Sequence, residues 1–292
     1  MPDQDVLVSI GLPVRNAGSR VADVVRSVLA QDHDNIELLI SDNGSSDDTE
    51  AVCRELARSD RRIAYHRQPQ NIGLMNNFVY AMRTAKGTYF RWIGDDDRLE
   101  PTFVSSCLAA FRTDPRLVLV TTGIAYAGPA GSTESAAYTG TALGSDDPVE
   151  RFTEMLRLLN ASHLIIDPLY GMMRRETAAA IPRRNMLRED EVFATKLALA
   201  GPWRHLPEVL AHRVWKQERL NVIGQRLVVP SWKWRFSTLF QAREILDWLR
   251  RADLSEEQRR RARAAVYGMY LTRQSRVARR RVGKLVEMAT SR

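Results

Sequence analysis

The chain has 292 residues, of which 44% are hydrophobic and 27% charged. This composition is close to that of average globular proteins and excludes a mainly disordered, fibrous or polytopic membrane protein. Two cysteines, Cys53 and Cys107, are too few for a disulfide framework or a zinc cluster built on cysteine. The first five residues are polar and no run of eighteen apolar residues occurs, so we expect a cytoplasmic protein with neither an export signal nor a membrane-spanning segment.

Positive charge is concentrated at the end of the chain. Residues 250–292 contain 13 Lys and Arg against 4 Asp and Glu, a formal charge of +9, whereas the remaining residues sum to −1. A basic end on a near-neutral body predicts a local anionic partner and argues against a protein devoted to nucleic acid along its whole length.

Strands and helices alternate through the first hundred residues. Short apolar runs predict strands, and apolar stripes at helical spacing predict helices between them. In chain order we predict a strand at 6–12, a helix over 21–29 with Ser19 as its N-cap, a strand at 36–41, a helix over 48–58, a strand at 63–67, a helix over 74–85 and a strand at 88–93. Such alternation predicts a mostly parallel sheet covered by helices on both faces.

The alternation is less regular after Pro101. We predict helices over 103–111, 148–159 and 189–200, extended segments at 117–125 and 169–174, a loop or lid over 128–144, and two C-terminal helices over 232–251 and 255–288. The fold class is therefore α/β with a C-terminal helical extension.

Polar residues follow three of the predicted strands. Residues 13–16 follow the first strand, 42–45 the second and 95–97 the fourth. Ligands of open α/β sheets bind beyond the carboxyl ends of the strands, so these segments are the candidate site. Three adjacent carboxylates at 95–97 repel one another unless a cation compensates them, which favours Mg²⁺ or Mn²⁺ held together with a nucleotide diphosphate. The alternative is ordinary turn or capping chemistry.

Four segments carry a resemblance to a known family. They are 13–16 (PVRN), 41–49 (SDNGSSDDT), 71–73 with 76–77 (NIG and NN) and 95–101 (DDDRLEP). In order and spacing they resemble the successive motifs of family 2 glycosyltransferases, which have the GT-A fold, a Rossmann-like, mixed and mostly parallel sheet flanked by helices. The resemblance covers roughly residues 6–215 and is weaker beyond Pro101.

The resemblance implies a role for each segment. Asp42 contacts the nucleotide base, and the nucleotide pocket is lined by Pro13, Val14, Arg15, Asn16, Asn71, Gly73 and Asn77. Asp95, Asp96 and Asp97 form the "DxD" element, with Asp95 at the ribose and Asp96 and Asp97 at the metal. One departure concerns Gly94, which stands where many relatives have the first aspartate.

A second acidic run lies at Glu189, Asp190 and Glu191, at the start of a predicted helix. The helix dipole alone explains acids in a first turn. The run also resembles the "ED" segment of the family, which implies that Asp190 is the general base of an inverting transfer, with Glu189 and Glu191 as alternatives. Arg213 matches the family's arginine near the diphosphate, whereas Trp215 replaces a histidine.

The resemblance implies a division of the chain and a set of partners. Residues 1–100 form the nucleotide-sugar-binding half, 101–225 the acceptor-binding and catalytic half of the same domain, and 226–292 a basic helical region. The partners are a nucleoside-diphosphate sugar and an acceptor hydroxyl, which belongs to a polysaccharide, a lipid-linked molecule or a small glycoside.

The basic tail and the overall function each leave alternatives. The arginines between 273 and 281 suit a solvated face, an anionic membrane at the inner face of the plasma membrane, or packing between subunits of a homo-oligomer. A sugar nucleotidyltransferase is disfavoured because no glycine-rich loop follows the first strand. A non-catalytic nucleic-acid binder leaves the acidic clusters unexplained, so no nucleic-acid partner is expected.

Overall fold

The structure, a computed structural model, describes residues 6–128, 133–136, 138–162, 165–214 and 220–290. The strands are Val8–Val14 (β1), Ile36–Asp42 (β2), Ile63–Arg67 (β3), Tyr89–Trp92 (β4), Arg98–Leu99 (β5), Leu119–Ala127 (β6), Thr133–Glu134 (β7), Met172–Arg174 (β8) and Trp203–Val214 (β9).

The helices flank the sheet and continue beyond it at the C-terminal end. They are Arg20–Leu29 (α1), Thr49–Ser59 (α2), Leu74–Thr84 (α3), Phe103–Thr113 (α4), Pro148–Ala161 (α5), Arg175–Ala179 (α6), Glu189–Ala200 (α7), Leu220–Arg226 (α8), Ser231–Trp234 (α9), Ser237–Leu249 (α10) and Glu256–Thr290 (α11). Short 3-10 turns lie at Ala142–Gly144 and Pro168–Tyr170.

One mixed sheet connects both halves of the α/β domain. Its strand order is β3-β2-β1-β4-β8-β6-β9-β5, and β7 pairs with β6. β1, β2, β3 and β4 run parallel, as do β6 and β9, whereas β8 is antiparallel to both β4 and β6. The parallel strands place the segments after β1, β2 and β4 at one edge of the sheet, as expected from the sequence.

Alternating side chains of the strands enter two apolar layers. In β1, Val8, Ile10 and Leu12 pack with the apolar stripe of α1 on one face of the sheet. On the other face, Phe90 and Trp92 of β4 pack with residues of α3, α5 and α7. Both faces of the sheet are therefore covered, which explains the continuous apolar runs in the strands.

The ends of several elements differ from the sequence predictions. Ser19 has helical backbone angles and makes no side-chain cap. Thr49 Oγ1 at the start of α2 accepts from Ala17 N and Gly18 N, both at 2.9 Å, and so binds the turn that precedes α1. β1 continues past Pro13, which pairs with Ser41. This is tolerated because β4 reaches only as far as Gly11 along β1.

The second half departs further from the predicted pattern. Residues 168–170 form a 3-10 turn, so the extended segment predicted at 169–174 is only Met172–Arg174. The helix predicted over 232–251 is interrupted between α9 and α10, where Trp234 turns inward and donates to Val229 O at 2.9 Å. β9 was not predicted. Of the predicted loop over 128–144, residues 129–132 and 137 lie outside the described residues.

The C-terminal helices α10 and α11 pack on α5 and α7. Residues of α5, α7, α10 and α11 share one apolar cluster, in which Phe152, Ile245 and Val266 are buried. Within the described part of the chain, none of the helices is long and apolar enough to cross a membrane.

Candidate active site

A large crevice opens at the edge of the sheet where β1, β2 and β4 end. It has a volume of about 1410 Å³. Its walls come from both halves of the domain and from α8: Pro13, Val14, Arg15, Asn16, Arg20, Asn43, Asn71, Leu74, Asn77, Phe78, Gly94, Asp95, Asp96, Tyr126, Asp167, Tyr170, Asp190, Arg213, Val214, Ile223, Gln225, Arg226 and Val228. Ten of the thirteen residues assigned a role from the sequence line the crevice, whereas Asp42, Gly73 and Asp97 do not.

The loops after β1 and β2 are tied to each other. Asn16 has a left-handed backbone, with φ of 52°. Its N–H donates to Ser45 Oγ at 2.9 Å, and its Oδ1 accepts from Ser46 N at 2.9 Å. Asparagine is one of the few residues other than glycine that adopt this conformation readily, so the sequence places Asn16 where the turn requires it.

Asp42 is fully buried at the end of β2. Its Oδ1 accepts from the N–H and the hydroxyl of Ser45, at 2.8 and 2.5 Å, and its Oδ2 accepts from Tyr65 Oη at 2.9 Å. The carboxylate therefore shapes the turn from behind, and the neighbouring Asn43 lines the cavity instead. The turn chemistry of 42–45 pointed to this loop, but not to which of the two side chains faces the cavity.

Three asparagines form the wall next to this turn. Asn43 donates to Asn71 Oδ1 at 2.8 Å, and its own Oδ1 accepts from Ile72 N at 2.8 Å. Asn77 on α3 exchanges two hydrogen bonds with Ser41. Gly73 lies just before α3 with φ of 90°, a conformation that L side chains rarely adopt. Gly73 therefore shapes the loop that presents the asparagines.

Two arginines pair with the outer carboxylates of the acidic run after β4. Asp95 accepts from Arg20 at 2.9 Å on the open side. Asp97, whose side chain is 2% exposed, accepts from Gly94 N at 2.8 Å and from Arg213 Nε at 3.2 Å. Asp96 lies between them and lines the cavity.

Gly94 stands where many members of the family that the sequence resembles have the first aspartate, and the position of the Asp97 side chain favours a glycine there. A Cβ at Gly94 would lie 2.9 Å from Asp97 Oδ2, closer than real Cβ atoms approach. Asp97 accepts from the Gly94 N–H, so a side chain at position 94 would require the Asp97 carboxylate to move.

The donor set fits a metal ion that is shared with a ligand. Among the described residues, no three His, Cys, Asp or Glu side chains form a group that could hold a metal by themselves. Asp95 and Asp96 nevertheless supply carboxylate oxygens on the wall. Mg²⁺ is commonly held by one or two carboxylates, with phosphate oxygens completing its shell, so the acidic run 95–97 fits a metal that binds with a diphosphate.

Arginines also pair with the two outer carboxylates of the second acidic run, at the start of α7. Glu189 forms a two-pronged ion pair with Arg183, and both side chains are at most 4% exposed. Glu191 accepts from Arg188 at 2.7 Å and from Arg273 of α11 at 2.7 Å. Asp190 alone of this run lines the cavity.

The environment of Asp190 favours its neutral form. Its side chain is open to the crevice, but the surrounding protein removes much of the bulk water, and the charges of Glu191, Glu189 and Asp167 oppose ionisation. Together these effects raise the pKa of Asp190 to about 6. At neutral pH the group is mostly ionised, and its pKa lies close enough to 7 for it to accept and release a proton.

Arg213, near the end of β9, lies beside the first acidic run. It pairs with Asp97 and Asp167, and its guanidinium carbon lies 3.5 Å from the centroid of the Tyr170 ring. Asp167 and Tyr170 were not singled out from the sequence, because the 3-10 turn that carries them shows no periodic pattern. Trp215, the residue in place of a histidine, lies outside the described residues.

The sequence is similar to those of known enzymes. The sequence model of Glycosyl transferase family 2 matches residues 9–180, more than half of the chain. A chondroitin synthase of Escherichia coli is 35% identical over 116 residues, which are 40% of this chain and 17% of that protein. The match thus spans less than a fifth of the relative.

Solved structures extend the likeness to nearly the whole chain. S. aureus TarS 1-349 in complex with UDP-GlcNAc has a TM-score of 0.64 and 14% identity, covering 91% of this chain and 72% of that one. The mannosyltransferase PcManGT from Pyrobaculum calidifontis, in complex with GDP-Man and Mn2+, has a TM-score of 0.53 and 14% identity, covering 100% and 82%. At these identities the likeness concerns the fold.

Proposed function

The chain belongs to glycosyl transferase family 2 and has the GT-A fold, and from this premise we propose that it transfers a sugar from a nucleoside-diphosphate sugar to an acceptor hydroxyl with inversion at the anomeric carbon. The observation that carries the proposal is the position of Asp190. It lies on the same cavity wall as Asp95 and Asp96, whereas its two acidic neighbours are held by arginines.

The first half of the domain binds the donor in this proposal. The wall formed by residues 13–16 and by Asn43, Asn71 and Asn77 offers amide and backbone groups to a base and ribose. Asp42, the residue predicted for the base, acts through the turn that it holds in this proposal, and Asn43, which was not predicted, provides the direct contact. Asp95 stays assigned to the ribose.

Asp190 is the general base. Its carboxylate accepts the proton of the acceptor hydroxyl while that oxygen attacks the anomeric carbon opposite the departing diphosphate. Because its pKa is raised to about 6, the ionised base is depleted as the pH falls below that value, and transfer decreases on the acid side.

A divalent cation would act on the departing diphosphate, whereas Asp190 acts on the acceptor hydroxyl. Asp96 and Asp97 are the residues that would hold Mg²⁺ or Mn²⁺, which stabilises the negative charge of the departing diphosphate when bound. Asp97 is now paired with Arg213. A metal at Asp97 therefore requires this pair to open, which would leave Arg213 on the wall as a cation for the diphosphate.

The rival functions lose support. The matching family is a glycosyl transferase family and the reported relative is a chondroitin synthase, which favours sugar transfer over nucleotidyl transfer and over nucleic-acid binding. The acceptor stays unnamed, because the match covers a small part of the chondroitin synthase. We also propose a cytoplasmic location, since both cysteines are free and buried.

The proposal is tested by melting the protein with UDP, GDP, CDP and ADP, each with and without Mn²⁺. A ligand that binds only the folded state raises the melting temperature. We expect one nucleoside diphosphate to do so, more strongly with Mn²⁺, and the matching nucleotide sugar to be consumed when acceptors are added. If no nucleotide stabilises the protein under either condition, the proposal is wrong.

A further inference from the structure

An exposed apolar face lies beside the mouth of the crevice. Its side chains are Val228, Trp232, Phe236 and Leu239, which are 75%, 58%, 51% and 47% exposed. Trp232, Phe236 and Leu239 follow at helical spacing through α9 and the start of α10. We call these four residues the rim face.

Inward-facing neighbours fix the rim face in its outward position. Leu227 and Val229 are buried in one small apolar cluster, against which Trp234 packs. Val228 between them points outward with φ of 55°. A β-branched residue rarely adopts such a backbone, so the chain maintains a strained conformation that presents an apolar side chain to the solvent.

Cations are interleaved with the apolar residues. Residues 220–243 contain four Lys and Arg and no Asp or Glu. Arg235 and Arg243 are exposed, and Lys233 Nζ lies 5.5 Å from the centroid of the Trp232 ring. Aromatic side chains interleaved with Lys and Arg are typical of surfaces that lie in the headgroup region of a bilayer.

The rim face continues directly into the crevice. Ile223, Gln225, Arg226 and Val228 line the cavity, and Val228 is also the first residue of the rim face. A planar surface in contact with the rim face would therefore lie next to the opening through which an acceptor reaches Asp190.

We propose that the rim face docks the enzyme on an anionic lipid bilayer, with Trp232 and Phe236 among the headgroups. This goes beyond the proposed transfer and does not depend on which residue is the base. A second copy of the chain fits less well, because a symmetric contact would bring the same cations against each other and no acid of 220–243 would compensate them.

The arginines of α11 suit an anionic membrane by sequence, but in the structure they are less available for membrane contact. Arg273 donates to Asn160 Oδ1, Gln241 Oε1 and Leu159 O, and Arg276 donates to Asn160 O. Two of the arginines predicted to contact lipid thus bind the protein itself.

The test is sedimentation of the full chain with phosphatidylcholine vesicles, with and without phosphatidylglycerol. We expect binding to the anionic vesicles that weakens with added salt. Trp232→Ser with Phe236→Ser should weaken it about tenfold or more, and Lys233→Gln with Arg235→Gln by a similar factor. Tyr267→Ser with Leu271→Ser, which alters two equally exposed apolar residues of α11, is the matched control and should bind as the parent does. Melting temperatures verify that each variant is folded.

A second readout places the contact in the bilayer. Brominated lipids should quench part of the tryptophan fluorescence of the parent, and Trp232→Phe, which preserves apolar bulk, should bind normally and lose most of this quenching. Equal binding to neutral and anionic vesicles, no binding at all, or equal losses in the α11 control would overturn the proposal. So would a dimer that the Trp232 and Phe236 changes dissociate, because the rim face would then be an interface between copies.

Discussion

The two acidic runs of the crevice, 95–97 after β4 and 189–191 at the start of α7, are built alike and sit in different surroundings. In each run the outer two carboxylates are bound by arginines, but Asp95 and Asp96 of the first run line the cavity, whereas in the second run Asp190 does. The first run lies on a strand exit with one open pair, Asp95 with Arg20. The second lies on a helix with one fully buried pair, Glu189 with Arg183.

The difference indicates how one crevice can hold carboxylates for two tasks. Around 95–97 two oxygens face the cavity from adjacent residues, which suits a shared cation. Around 189–191 the outer acids are held in place, and their charges help to raise the pKa of the single exposed one, which suits proton transfer. Arginine pairing therefore holds the flanking acids of each run in place, and Asp190 is the acid of the second run that lines the cavity.

The largest effect is expected from opening the buried pair of the second run. Arg183→Met leaves the Glu189 carboxylate buried without its partner and should lower the free energy of unfolding by about 3–5 kcal/mol. Arg26→Met is the control, because its pair with Asp23 is exposed and should contribute about 0–1 kcal/mol. Urea unfolding measures both. Similar values for the two variants would contradict the structural role of Arg183.

A smaller effect is expected from the first run. Asp96→Ala should abolish the gain in nucleotide affinity that Mn²⁺ gives, a loss of at least about tenfold, while metal-free binding stays as in the parent. Asp95→Ala should lose less of the gain, since that carboxylate is held by Arg20. Calorimetry with and without Mn²⁺ makes the comparison. An undiminished gain in Asp96→Ala would remove Asp96 from the metal site.

The smallest effect concerns the pH dependence of transfer. Glu191 raises the pKa of Asp190, as do Glu189 and Asp167, and Arg273 offsets the charge of Glu191. Arg273→Gln should therefore move the acid limb of kcat/KM to higher pH by on the order of half a unit. Glu191→Gln should move it to lower pH, and the double variant should follow Glu191→Gln. A limb that stays in place in all three variants would contradict this coupling.

The sequence predicted the parts of the site that depend on local pattern. The strand exits follow from apolar runs that end in polar turns, and parallel pairing brings them to one edge. Glu189–Ala200 was predicted with its observed bounds, because its acidic start and apolar body are both local signals.

The remaining parts depend on contacts between distant segments. Asp42 and Asn43 look equivalent in the sequence, but Tyr65 of the neighbouring strand binds Asp42 and leaves Asn43 on the wall. Arg273 reaches Glu191 across 82 positions of the chain. The α8 wall and the rim face carry no motif, since their position follows from packing rather than from periodicity.

The central claim is that Asp190 performs the chemistry while other residues bind the donor. The most direct measurement is the single-turnover rate of Asp190→Asn, taken with nucleotide affinity and melting temperature on the same preparation and with Glu191→Gln beside it. We expect a rate lower by roughly 10² to 10⁴, unchanged nucleotide affinity, and a much smaller loss in Glu191→Gln. Transfer near the parental rate by folded Asp190→Asn would contradict the central claim.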